Sequence, residues 1–214
     1  MFPAEPPEAV RARFLPHLIK GDLDSVRPEV LAFYEGHGVR VVDLSDDQES
    51  TDLHKCVAYL HALNLGQPTQ GAAAEGPAVR TIVAVGAHGG RLDHILSSLS
   101  TLHAFRDTHL VLCGDGNLTR LVPAGAAVIR PDRRLEGPAC GLVPLRGPAL
   151  ASSAGLRWDL DRTRMEIGGL VSTSNLIQED EVHVNCDVDL VWTTQLREPA
   201  EEPAEERGFS SVTS

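Results

Sequence analysis

The periodicity of the chain changes once, and that change limits what it can fold into. Up to about residue 113, short β-branched runs alternate with stretches whose apolar residues recur at i, i+3, i+4 and i+7. The runs are 14–21, 39–44, 81–85 and 109–113. Helical stretches follow Ser25, Thr51 and Arg91, the second marked by Leu53, Cys56, Val57, Leu60 and Leu63. Strands and helices taken in turn predict an α/β domain with a mostly parallel sheet, because parallel strands need a crossover between them. After about Asn117 no helical period survives. Short β-type runs take over at 118–122, 126–130, 140–145, 156–160, 164–167, 181–186 and 190–196, separated by Gly, Pro, Asp and Asn. That texture predicts an antiparallel β-sandwich or barrel. The expected organisation is a loosely docked or disordered stretch 1–12, an α/β domain 13–118, a β-domain 119–197 and a disordered acidic tail 198–214.

Composition removes several classes of function. The formal net charge is −11, and the tail, with five Glu and one Arg, carries −4 of it. A body that remains acidic lacks the basic footprint of a nucleic-acid binder. No apolar run approaches the ~18 residues of a membrane span. The N-terminus, Met1-Phe2-Pro3-Ala4-Glu5-Pro6-Pro7-Glu8, has neither the basic nor the apolar part of a signal peptide. Cys56, Cys113, Cys140 and Cys186 form no CxxC pair and fit reduced thiols. A cytoplasmic location is expected.

Acidic side chains recur where an α/β sheet places its ligands, at the carboxyl ends of strands. Asp22 and Asp24 follow the first run, Asp47 and Asp52 flank the turn after the second, and Asp93 follows the third. If 18–24 is extended, Asp22 and Asp24 point to one side of the strand. Carboxylate oxygens suit Mg²⁺, which takes one or two of them together with substrate phosphates. Each Asp alone reads as a polar turn or a helix-start residue; their recurrence at three consecutive strand ends is what points to a site. The turn at Gly89 and Gly90 lets the backbone approach a ligand, and Arg91 offers a fork for phosphate oxygens.

Gly21-Asp22-Leu23-Asp24-Ser25, Asp47-Gln48-Glu49-Ser50-Thr51-Asp52 with Lys55, and Gly89-Gly90-Arg91-Leu92-Asp93-His94 together resemble the thiamine pyrophosphokinase family. In the second half Cys140-Gly141-Leu142-Val143-Pro144, Gly155-Leu156-Arg157-Trp158, Leu170-Val171-Ser172-Thr173-Ser174-Asn175 and Leu190-Val191-Trp192-Thr193 match it too, most closely its animal branch. The resemblance implies a Rossmann-like catalytic domain, then a β-sandwich that binds thiamine, and a homodimer with active sites at the interface. It implies Mg²⁺ on Asp22, Asp24 and Asp52, catalytic roles for these and Asp93, and ATP held near Gly89, Gly90, Arg91 and Lys55. Gln48, Ser174, Asn175 and Trp192 match thiamine-side positions. Trp158 is expected in the sandwich core. The implied reaction moves the pyrophosphoryl group of ATP to the thiamine hydroxyl and releases AMP. The family's Ala-Asp-Gly-Gly-Ala-Asn string and its βα unit have no match here, so a weakened or non-catalytic thiamine-binding form is a second expectation. A haloacid-dehalogenase-type phosphatase, which also uses D-x-D after a strand, is a third.

Overall fold

The computed structural model describes residues 7–66 and 81–197. The chain divides into two compact units, with the boundary between Asp115 and Gly116. The tail 198–214 and the start 1–6 lie outside the described residues.

The first unit begins with a helix, α1 (Pro7–Arg13), where a loose stretch was expected. Strand β1 (Leu18–Gly21) and strand β2 (Arg40–Asp43) pair in parallel, with Gly21 opposite Asp43, and α2 (Pro28–Gly36) crosses between them. Helix α2 starts on Pro28, whose fixed φ and missing N–H suit the first turn. Its N-cap is Arg27, without a side-chain hydrogen bond. Helix α3 (Asp52–Gly66) leads to β3 (Ile82–Val85), and α4 (Leu92–Ala104) to β4 (Leu110–Gly114). Strands β3 and β4 are also parallel. One face of this pair is buried: Ile82, Leu110 and Leu112 close on Val57 of α3 and Leu102 of α4. Alternation turns Val83 and Val85 the other way, and Val85 is 83% exposed.

The second unit is all β. One sheet has the order β10-β7-β12-β5 and the other β6-β11-β8-β9. The strands are β5 (Asn117–Val122), β6 (Gly125–Ile129), β7 (Glu136–Val143), β8 (Ala149–Ala154), β9 (Thr163–Met165), β10 (Ser172–Leu176), β11 (Val182–Cys186) and β12 (Leu190–Leu196). Their pairings are antiparallel. A core of 14 buried residues, among them Leu142, Met165, Val182, Leu190 and Trp192, fills the unit. The run 156–160 is not a strand; only Leu156 bridges, to Ile177.

Candidate functional site

The carboxylates of the first unit stand where β1 meets the start of α3. Strand β1 stops at Gly21, because Leu23 turns into the left-handed region at φ +62°. Asp22 and Asp24 therefore sit in a turn, not on one face of an extended strand. The Asp24 N–H donates to Asp22 Oδ1 at 3.2 Å, the local bond that Asp offers in turns. The Asp22 N–H donates to Asp52 Oδ1 at 3.0 Å. Gly21 makes that approach possible: a β-carbon there would lie 2.7 Å from Asp52 Oδ1.

Asp52 opens α3, where the helix dipole favours an anion. One turn on, the Lys55 ammonium stands 3.7 Å from Asp52 Oδ1. The Lys55 side chain is only 2% exposed, and its Nζ makes no hydrogen bond among the described residues. A buried ammonium is costly unless an anion accompanies it, and Asp52 is that anion. Asp47 folds the preceding turn by accepting the Ser50 hydroxyl at 2.6 Å, a bond that lowers its pKa. Gln48 is exposed at this turn and donates to the Ser45 carbonyl at 2.7 Å.

The Gly-rich turn lies at the start of α4. Gly89 and Gly90 have φ of +101° and +70°, values that L side chains rarely adopt. Arg91 is the N-cap of α4 without a side-chain cap bond, so the first N–H groups of the helix have none from it. Arg91 and Asp93 face each other as a fork, Nε to Oδ1 at 3.1 Å and NH2 to Oδ2 at 2.5 Å. This pairing lowers the Asp93 pKa and raises that of Arg91. Both side chains are exposed, and an exposed ion pair is cheap to open. Further along α4, the Ser97 hydroxyl donates to Thr51 Oγ1 beside Asp52 at 3.5 Å.

Exposed carboxylates are hard oxygen donors that fit Mg²⁺. Among the described residues, however, no group of three or more His, Cys, Asp or Glu converges as a ready cage. The structure ties Asp22 to Asp52 but does not assemble Asp22, Asp24 and Asp52 into a three-carboxylate set. One or two carboxylates completed by water and phosphate is the arrangement Mg²⁺ ordinarily takes.

The second unit corrects both tryptophan expectations. Trp192 is 0% exposed and lies in the core cluster, on a strand flanked on both sides, opposite Leu142 and Arg120. It presents no face to a ligand. Trp158, expected in the core, is 55% exposed, with the Arg157 guanidinium 4.9 Å from its ring centre. Beside it, β10 bulges between Ser172 and Asn175, and Ser174 has φ +58°. The bulge leaves Ser174 exposed and Asn175 buried. The exposure of Trp158 had one readable signal: its neighbours Gly155, Asp159 and Asp161 are loop formers.

The family model described as the catalytic domain of thiamin pyrophosphokinase matches residues 7–116, and the one described as its vitamin B1 binding domain matches residues 126–191. The chain belongs to the thiamine pyrophosphokinase family. Thiamine pyrophosphokinase 3 of Oryza sativa subsp. japonica is 43% identical over 201 residues, covering 92% of this chain and 72% of that protein. Thiamine pyrophosphokinase 1 of Arabidopsis thaliana is 43% identical over 198 residues, covering 92% and 71%. A Caenorhabditis elegans relative is 30% identical over 184 residues, so these matches do not favour the animal branch. Among solved structures, thiamin pyrophosphokinase from Candida albicans superposes with a TM-score of 0.73 at 26% identity, covering 87% of this chain and 75% of that one. As in the thiamine pyrophosphokinase expectation, an α/β unit precedes a β-unit, and the phosphatase reading falls away.

Proposed function

We propose that the chain transfers the pyrophosphoryl group of ATP to the hydroxyl of thiamine, giving thiamine diphosphate and AMP, with Mg²⁺ as the cation. The observation that carries this is the tie between Asp22 and Asp52 over Gly21, with Lys55 buried beneath it. It sets the Asp52 carboxylate against the backbone of Asp22, so that residues from the end of β1 and the start of α3 meet at one place.

In this reading Asp22 and Asp52 would hold the cation, with Asp24 in the same turn beside them. Held by these carboxylates, the cation would supply positive charge against the negative charge of the phosphate oxygens. Gly89 and Gly90 let the α4 N-terminus approach those oxygens, and Arg91 supplies a fork to them. Arg91 must then release Asp93, whose freed carboxylate can take the proton of the thiamine hydroxyl. Positioning, more than covalent work, lowers the barrier. On the thiamine side we assign the aromatic contact to the exposed Trp158 and a polar contact to Ser174. An aromatic face attracts the thiazolium cation by ~0.5–2 kcal/mol. We further propose a cytoplasmic homodimer; four free cysteines support the compartment, and the exposed Gln48 could reach thiamine across the interface. Among the described residues no helix is long and apolar enough to cross a membrane.

The test is AMP release from ATP by the purified chain, measured with and without thiamine and with Mg²⁺ or excess chelator. Release that needs both thiamine and Mg²⁺ is expected. Thiamine-independent phosphate release, or activity indifferent to chelator, overturns the reading.

A further inference from the structure

Asn175 matches a thiamine-side position, yet its side chain has nothing left to offer a ligand. It is 3% exposed. Its Oδ1 accepts the Trp158 N–H at 3.2 Å and the Leu176 N–H at 2.8 Å. Its Nδ2 donates to the Trp158 carbonyl at 2.8 Å and to Ser172 Oγ at 3.4 Å. A carboxamide has two donor hydrogens and two acceptor lone pairs, and all four are used. Toward Trp158 the amide behaves as a piece of neighbouring strand, meeting both polar groups of one residue.

The rest of the Trp158 loop is built to the same end. Asp159 accepts the Leu156 N–H at 3.0 Å and the Ser153 hydroxyl at 3.0 Å. The Arg157 N–H donates to the Leu176 carbonyl at 2.8 Å, next to Asn175. Gly155 packs so closely that a β-carbon would meet the Glu181 carbonyl oxygen at 2.6 Å. An indole 55% in solvent gains little from this bracing as a matter of packing. What the bracing fixes is the backbone from which the indole projects.

We propose that Asn175 is a positioning residue that never touches thiamine: it holds the Trp158 backbone so that the indole presents a fixed face to the thiamine ring. This rests on the assignment of Trp158 as the aromatic contact. Loss of Asn175 then acts only through Trp158, and on thiamine rather than on ATP.

The experiment is a double-mutant cycle on the full chain, read as KM for thiamine, KM for ATP and kcat. Trp158→Ala is expected to raise thiamine KM by about 2–30-fold, the range of a cation–aromatic contact. Asn175→Ala should raise it similarly, with ATP KM unchanged. The double variant should be within about twofold of Trp158→Ala, because residues acting as a unit are not additive. Effects that multiply show an independent contact and overturn the proposal, while leaving Trp158 as the platform. An unchanged thiamine KM in Trp158→Ala overturns both. If Asn175→Ala does not fold, the native protein still decides: the Asn175 side-chain amide protons should be protected from exchange without thiamine. Rapid exchange of that amide, or the appearance of protection only on adding thiamine, refutes the proposal.

Discussion

The β-unit closes a core of 14 buried residues, whereas the α/β unit closes 5 among those described. On the proposed assignment, the difference separates two ways of holding a site. In the α/β unit the chemical groups stand on turns, tied by single bonds such as Asp22 N–H to Asp52 and Ser97 to Thr51. In the β-unit Ser174 and Trp158 project from a bulge and a loop anchored in the dense core through Asn175. Function should therefore be separable from stability in the first unit and entangled with it in the second.

The largest expected effect tests the second half of that statement. Trp192→Ala removes the bulkiest wholly buried side chain and should cost about 3–5 kcal/mol in urea unfolding. A variant that unfolds like the native chain but no longer binds thiamine would place Trp192 in the site instead. Next comes Asp22→Asn, which keeps an acceptor for the Asp24 N–H while removing a charge. Turnover with Mg-ATP should fall by about 10²-fold, and stability should change by no more than about 0.5 kcal/mol. Joint loss of both would show that the carboxylate turn is part of the scaffold. The smallest effect is on thiol chemistry. Burial pushes the Cys140 thiol up to about 12, and it also raises Cys186. A raised folded pKa contributes stability that is complete below the unfolded value of 9.0 and is lost as pH rises toward 12. At pH 8 iodoacetamide should thus reach the half-buried Cys113 first, with Cys140 and Cys186 modified only after unfolding. Mass spectrometry of the alkylated peptides reads the order.

The parallel pairs β1–β2 and β3–β4 were legible because strand and helix periods alternate cleanly around them. The β-unit was legible as a class but not strand by strand. Strand β8, Ala-Leu-Ala-Ser-Ser-Ala, has small side chains with no β preference; it is a strand because β11 and β9 flank it. Strand β10 hides behind Ser, Thr and Asn, residues that ordinarily signal a turn, and its bulge is a turn within a strand. The two tryptophans were exchanged for a related reason. Leu-Val-Trp-Thr reads alike whether a strand is central or at an edge, and only the sheet order buries β12 on both flanks. Asp52 could be placed at a helix start from sequence, but the buried Lys55 beneath it could not. Its burial follows from α3 lying against β1, a long-range fact.

The leucine in the left-handed region at position 23 has a consequence for how variants of this chain would be found. That conformation costs a side-chain-bearing residue about 1–2 kcal/mol. Glycine would relieve it, yet would return a comparable ~0.5–1 kcal/mol through the freer unfolded chain. The two nearly cancel. A screen for heat resistance would pass over Leu23, while, on the proposed cation role of this turn, a screen for growth at scarce magnesium would feel any slackening between Asp22 and Asp24.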